Sequence, residues 1–146
     1  MTDDTHAIAR HPVPIGALLG LATLPAHALL PLAWAEQLAA LLLVLIAGIY
    51  LGFAALDGRP KALVAETSAA CAFVAFALWA VLRAPGWLPA GHAAHALWDL
   101  AHHRTRHGAR HRPRLDVRMP RWYVPFCTVV DAVAGAGIAL IWWARG

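Results

Sequence analysis

The chain has few charged side chains and only two cysteines. Charged residues make up 14% of its 146 residues and hydrophobic residues 60%, whereas an ordinary soluble domain is about 25% charged. This balance excludes a typical soluble protein. Cys71 and Cys127 lie inside apolar runs far apart in sequence, which argues against a structural disulfide. Glycine-rich phosphate loops and the Gly-x-Ser-x-Gly and Ser-x-x-Lys motifs are also missing, which argues against nucleotide chemistry and serine hydrolysis.

Five apolar runs take up most of the chain. Each has about 17 to 22 residues, enough for a helix to cross a hydrocarbon layer of ~30 Å. Because backbone groups in lipid must bond within their own segment, such runs predict helices rather than an open sheet. We therefore predict an all-α, polytopic transmembrane helical bundle that forms one membrane domain over residues 1–146. Its predicted spans are residues 15–34, 36–56, 62–82, 87–103 and 122–143.

The first span is the weakest of the five. It is interrupted by Pro25, His27 and Pro31. The alternative is a cleaved signal peptide, with Ala26-His27-Ala28 as the small-x-small cleavage site, which would leave four spans. Asp3 and Asp4 argue against that alternative, because a signal peptide begins with a positively charged region.

The second span contains a G-x-x-x-G motif, formed by Gly48 and Gly52. Glycines at this spacing remove the side chains from one patch of a helix and let another helix come close. We therefore expect close helix packing at these two residues.

The fourth span carries a cluster of ionisable side chains in an otherwise apolar segment. On a helix that turns ~100° per residue, the cluster falls inside an arc of about 100°. The opposite side of the helix is apolar and suits lipid or packed helices. Since an ionisable group at membrane depth usually faces the bundle interior with a partner, we expect this polar stripe to be the functional part of the protein. Its members are His92, His95, Asp99, His102 and His103.

Two more carboxylates lie in neighbouring spans. Glu66 is about one turn inside the third span, and Asp131 is in the middle of the fifth, one turn after Cys127. If successive spans alternate in direction, Glu66, Asp99 and Asp131 meet the histidines in the inner half of the bundle. Glu66 can also cap the first turn of its helix or reach back to the membrane interface.

The leading hypothesis for these residues is a metal site. Imidazole and carboxylate are ligands of zinc, iron and copper, and helical i, i+3 and i+4 spacing aims them at a common point. The predicted metal ligands are His92, His95, Asp99, His102, His103 and Asp131, with Cys127 as an additional thiolate. If the protein is a metal-dependent oxidoreductase or hydrolase, the predicted catalytic carboxylates are Asp99, Asp131 and Glu66.

Two alternatives remain open. A chain of histidine and aspartate side chains also suits the transport of protons or metal ions, for which five spans make a narrow bundle and a homo-oligomer is expected. The other alternative is a structural membrane protein whose histidines bind backbone carbonyls or lipid phosphates and perform no chemistry.

The loop at residues 104–121 predicts the orientation in the membrane. It holds seven of the twelve Lys and Arg residues, and such loops stay on the cytoplasmic side. With five spans, ten basic residues are then cytoplasmic, and only Arg83 and Arg145 are outside. We expect a membrane protein with a cytoplasmic N-terminus and an outer C-terminus. The loop is expected to contact anionic lipid rather than nucleic acid.

Several motifs follow one another in a fixed order along roughly residues 40–140. They are Ala47-Gly48-Ile49-Tyr50-Leu51-Gly52-Phe53-Ala54, Asp57-Gly58-Arg59, Glu66, Gly91-His92, His95, Trp98-Asp99-Leu100-Ala101-His102-His103, Pro120-Arg121-Trp122-Tyr123-Val124-Pro125-Phe126-Cys127 and Asp131. Their order and spacing resemble a small family of bacterial membrane proteins, family 6010 of the domains of unknown function. That family has no assigned activity, so the resemblance supports the segment boundaries and implies no chemistry. It implies the bacterial inner membrane as the location.

Overall fold

The computed structural model describes residues 7–107 and 117–145, without the side chains of residues 103–107. All the regular structure in these ranges is helical. The side chain of His103, a predicted metal ligand, therefore lies outside the described part. The same holds for most of the basic loop at 104–121. The helices are α1 (Ala7–Arg10), α2 (Pro12–Leu29), α3 (Leu32–Asp57), α4 (Pro60–Arg83), α5 (Leu88–His107) and α6 (Tyr123–Ala144), with a 3₁₀ turn at Pro85–Trp87.

Proline and glycine set the ends of these helices. α2 ends at Leu29, rather than near residue 34, because Leu30 precedes Pro31 and is extended, with ψ 152°. α3 ends at Gly58, whose φ of 70° is left-handed and suits glycine. α4 begins with Pro60, which has no N–H to leave unbonded in the first turn.

The long helices run alternately up and down the bundle. Ala39 of α3 contacts His92 of α5, and Tyr50 of α3 contacts Asp99 of α5. Because the residue numbers rise together in the two pairs, α3 and α5 run in the same direction. Glu66 of α4 meets His102, so α4 runs against α5. One end of the bundle, here called the loop end, carries the Gly58 turn. The opposite end, called the far end, carries the 3₁₀ turn and the end of α6.

Side-chain contacts hold each end together. At the loop end, Asp57 accepts from Arg59 at 2.6 Å and lies 3.6 Å from Nε of Arg118. At the far end, the Arg145 guanidinium donates to the carbonyls of His27 and Leu30, at 2.7 and 2.8 Å. The Arg145 contacts tie the end of α2 to the end of α6.

Four helices are long and apolar enough to cross a membrane, namely α2, α3, α4 and α6. By the same measure α5 is not among them, so the predicted fifth span is not confirmed. The reason is composition, because the histidines and Asp99 of α5 lower its mean hydropathy. His92, His95 and Asp99 are nevertheless buried inside the bundle, while the outward side carries Leu97, which is 66% exposed. Over residues 88–102, α5 is therefore polar inside and apolar outside.

α2 and α6 pack tightly against each other, and this contact depends on Gly16 and Gly20. A Cβ at Gly16 would lie 2.6 Å from the Phe126 carbonyl oxygen, and one at Gly20 would lie 3.0 Å from the Val130 carbonyl oxygen. The packing expected at Gly48 and Gly52 does not occur within the described residues, where a Cβ at either glycine meets nothing within 4 Å. Within the described residues, the G-x-x-x-G motif that packs closely against another helix is thus the one in α2 rather than the one in α3.

This difference predicts the outcome of a matched pair of substitutions. We expect Gly16→Ala to lower the free energy of unfolding by about 1 to 3 kcal/mol, because the new methyl group meets backbone that cannot move aside. Gly48→Ala should leave stability unchanged or raise it, since its position is open and alanine favours helix. Thermal unfolding in detergent, followed by circular dichroism, measures both. Equal destabilisation by the two substitutions would contradict the α2–α6 contact.

Candidate metal centre

Two i, i+4 pairs face each other where α5 and α6 pack antiparallel. His95 and Asp99 come from α5, and Cys127 and Asp131 from α6. One ligand-type atom from each of the four side chains lies within 4.8 Å of all the others. All four residues are buried. The arrangement follows from helix geometry, because residues four apart stack on the same face of each helix.

Asp131 is held between two histidines. Its Oδ1 lies 3.1 Å from His92 Nδ1, and its Oδ2 lies 2.9 Å from His95 Nδ1. His92 Nε2 lies 3.2 Å from the Ala39 carbonyl oxygen, which can only accept, so Nε2 carries a proton. The His92–Asp131 contact then needs a second proton, which the imidazole and the carboxyl share. This pair fixes the orientation of the Asp131 carboxylate across the α5–α6 contact.

Asp99 is held by a third helix. The Tyr50 hydroxyl of α3 donates to Asp99 Oδ1 at 2.6 Å, and His95 Nδ1 lies 3.7 Å from the same oxygen. Two buried atoms of the cluster, Asp99 Oδ2 and His95 Nε2, have no hydrogen-bond partner within the described residues. Buried polar atoms are normally bonded, so two such atoms in one cluster indicate a place for a ligand.

The backbone of α3 comes close to α5 because its inward face consists mostly of small residues. Alanines occupy three positions around Tyr50 on that face and are nearly inaccessible to solvent. The missing bulk leaves room for the Tyr50 ring to reach between α5 and α6. These alanines are Ala39, Ala47 and Ala54, with exposures of 0%, 3% and 0%.

The donor set suits a transition metal. One imidazole, one thiol and two carboxylates match zinc, iron or copper, whereas magnesium and calcium prefer oxygen alone. In a tetrahedral zinc site with bonds of about 2.0 to 2.3 Å, ligand atoms are roughly 3.5 Å apart, so the cluster needs only a small contraction. A divalent ion with a thiolate and two carboxylates has one excess negative charge. The second proton that the hydrogen bonds of His92 require in the His92–Asp131 pair balances that charge.

Hydrogen bonds from outside the four residues complete this picture. Metal-binding side chains are usually oriented by a second layer of polar partners. His92 orients Asp131 in this way, and Tyr50 orients Asp99. The Cys127 thiol also lies 3.9 Å from Asp131 Oδ2. Each carboxylate in the cluster therefore already has a partner that fixes its direction.

A second polar cluster lies nearer the loop end. His102 Nε2 is 2.8 Å from Glu66 Oε1, and the Trp98 indole N–H donates to Glu66 Oε2 at 3.3 Å. His102 Nδ1 lies 2.9 Å from the Trp98 carbonyl oxygen and donates to it. The Tyr50 ring lies 4.9 Å from the His102 ring, measured between centroids, and so stands between the two clusters.

The predicted site residues thus divide into two groups. His95, Asp99 and Asp131 come together with Cys127, and His92 contacts Asp131 from beside the group. Glu66 and His102 form a cluster of their own, and the roles given to all these residues stay predictions. Tyr50 was not expected at the site. The feature of the sequence that could have identified Tyr50 is a hydroxyl inside an apolar span. Tyr50 lies on the face of α3 that carries the buried alanines.

Comparisons with family models, with curated proteins and with solved structures found no match to this chain. The resemblance to a family of bacterial membrane proteins therefore stays a prediction. What the chain does has to be argued from its own side chains.

The Tyr50–Asp99 hydrogen bond predicts different results for the two tyrosines. Tyr50→Phe should lower stability by about 1 to 3 kcal/mol, because it leaves a buried carboxylate oxygen without its donor. Tyr123→Phe is the comparison and should cost less, because the buried Tyr123 hydroxyl faces the Cys127 thiol, which is a weaker partner than a carboxylate. Thermal unfolding of both variants in detergent makes the comparison. Equal effects of the two substitutions would show that the Tyr50 hydroxyl does not support Asp99.

Proposed function

We propose that this chain is an integral membrane protein that binds one transition-metal ion between α5 and α6. The ligands are His95, Asp99, Cys127 and Asp131. The observation that carries the proposal is the convergence of four buried ligand-type atoms within 4.8 Å of one another. Two of the four residues also contribute a buried polar atom without a hydrogen-bond partner in the described part of the chain.

Zinc is the ion that fits the donor set best. Four protein ligands fill a tetrahedral shell, which is the arrangement of sites that hold zinc without an open position. The predicted metal-dependent oxidoreductase or hydrolase would need one donor to leave the shell and make room for water or substrate. Stable binding is therefore the function that the geometry supports best, and catalysis at this centre stays a prediction.

Transport of protons or metal ions is a second candidate. The specific observation in its favour is the length of the buried polar stripe, which extends past the metal centre to His92 on one side and His102 on the other. The rise of a helix over these ten residues is about 15 Å, half of the hydrocarbon thickness. A polar path of this length is not needed to hold a single ion.

We also propose that α5 crosses the membrane as a fifth span. Its outward side is apolar, with Leu97 66% and Leu100 40% exposed, so lipid can cover it. The loop end, where Arg59, Lys61 and Arg118 are found, is then cytoplasmic and faces anionic lipid headgroups. The far end, which carries the C-terminus, then lies on the outer side of the cell membrane.

A matched pair of cysteine variants tests the metal proposal. Purified protein should hold about one zinc per chain, and cobalt should replace zinc with the strong absorption of a thiolate-to-cobalt transition. Cys127→Ser should abolish that absorption, because it removes the only sulfur of the site. Cys71→Ser should change nothing, since Cys71 is exposed on the outside of α4. Wild-type protein that binds neither metal would overturn the proposal.

Labelling in intact cells tests the orientation. Both variants start from a chain in which the exposed Cys71 is replaced by serine, so that the buried Cys127 and the new cysteine are the two thiols. Gly86→Cys lies at the far end, and Lys61→Cys lies at the loop end. A maleimide that cannot cross membranes should label Gly86→Cys in intact cells, and Lys61→Cys only after permeabilisation. The reverse pattern would show that the loop end faces outward.

A further inference from the structure

The sulfur of Cys127 has two kinds of polar neighbour. One is the Asp131 carboxylate, whose Oδ2 lies 3.9 Å from Sγ. The other is the Tyr123 hydroxyl, which faces the same thiol. Asp131 is itself a proposed ligand, so its oxygens turn to the metal ion when the ion is bound. The Tyr123 hydroxyl then remains as the neighbour that can donate a hydrogen bond to the sulfur.

Helix geometry places the Tyr123 hydroxyl beside this sulfur. Tyr123 is the first residue of α6, and Cys127 follows one turn later. Residues four apart lie on the same face of a helix, and a helical side chain leans over the turn that precedes it. The Cys127 side chain therefore leans toward Tyr123. Both residues are buried, with exposures of 5% and 3%.

Aromatic side chains hold the Tyr123 ring in its position. The Tyr50 ring lies 5.7 Å from it and the Phe53 ring 4.8 Å, both edge to face. Val117 and Met119 belong to the same buried cluster. With the ring held on these sides, the hydroxyl keeps one free motion, which is rotation of the O–H about the C–O bond. That rotation suffices to direct the proton at the sulfur.

The Tyr123 hydroxyl also has no stronger acceptor in the described part of the chain. It is buried and makes no hydrogen bond of good geometry there. Neighbouring side-chain donors are in use, since the Tyr50 hydroxyl donates to Asp99 at 2.6 Å and the Trp98 indole donates to Glu66 at 3.3 Å. A buried hydroxyl beside a thiol, which is a weak acceptor, is therefore a donor with little to bond in the metal-free protein.

Metal binding changes the acceptor that Tyr123 faces. A cysteine binds a metal ion as the thiolate, so the thiol proton is released to solvent as the metal–sulfur bond forms. Hydrogen bonds to a charged acceptor are stronger than those to a neutral one. The contact with Tyr123 thus becomes stronger when the ion is bound, and Asp99, Asp131 and Cys127 then each have a partner outside the four ligands.

We propose that Tyr123 is a positioning residue of the metal centre, whose hydroxyl donates to the Cys127 sulfur when a transition-metal ion is bound there. This proposal rests on the proposed metal-binding function and adds the partner of its sulfur ligand. It separates the roles of two tyrosines. Tyr50 supports a carboxylate in the metal-free chain as well, whereas Tyr123 acts mainly on the metal-bound state.

The absorption of the cobalt-loaded protein in detergent tests this role. A hydrogen bond to a thiolate lowers the energy of its lone pairs and so raises the energy of the thiolate-to-cobalt transition. Tyr123→Phe should therefore move this band to longer wavelength and weaken cobalt binding about tenfold or more. Phe126→Leu is the matched control. It thins the packing beside the Tyr123 ring, 6.4 Å away, but keeps the hydroxyl, so its band should stay at the wild-type wavelength.

Circular dichroism of each variant first establishes that it is folded. An unshifted band in folded, cobalt-loaded Tyr123→Phe would overturn the role of the hydroxyl. An equal shift in Phe126→Leu would overturn it too, because packing would then account for the effect. Wild-type protein that binds no cobalt, or binds it without this absorption, would instead overturn the proposed metal centre itself.

Discussion

The pairing of Asp131 with His92 and His95 is the interaction on which the arrangement of the bundle depends. A buried carboxylate without partners costs several kcal/mol in an apolar interior, so its position has to be matched by donors from another helix. Here both partner imidazoles come from α5, at 3.1 and 2.9 Å. This match fixes the register of α5 against α6. The same register brings Cys127 and Asp99 to the level of His95.

α5 also explains why average hydropathy is a poor guide to this chain. Over residues 88–102, the polar side chains His92, His95 and Asp99 point inward while Leu97 and Leu100 point outward, which reverses the pattern of a helix on a soluble protein. Because the mean over the segment combines both faces, α5 does not qualify as a span by composition. The proposal that α5 is a fifth span therefore depends on the position of the polar residues on the helix rather than on their number.

Much of the arrangement could be predicted from the sequence. The polar stripe of α5 followed from the periodicity of its histidines, and the helical runs followed from length and composition. What could not be predicted was which side chains from distant helices would meet. Tyr50 reaches Asp99 only because alanines line its face of α3, and that depends on how closely two helices approach. Likewise, the glycine pair of α2 makes a tight contact while the pair of α3 makes none, although both have the same spacing.

X-ray absorption spectroscopy of the zinc-loaded protein tests the central claim most directly, because it reads the ligands of the ion itself. The account predicts one sulfur at about 2.3 Å and three nitrogen or oxygen ligands at about 2.0 to 2.1 Å. In Cys127→Ser the sulfur shell should disappear. A wild-type spectrum without sulfur, or one with six oxygen ligands, would contradict a metal centre between α5 and α6.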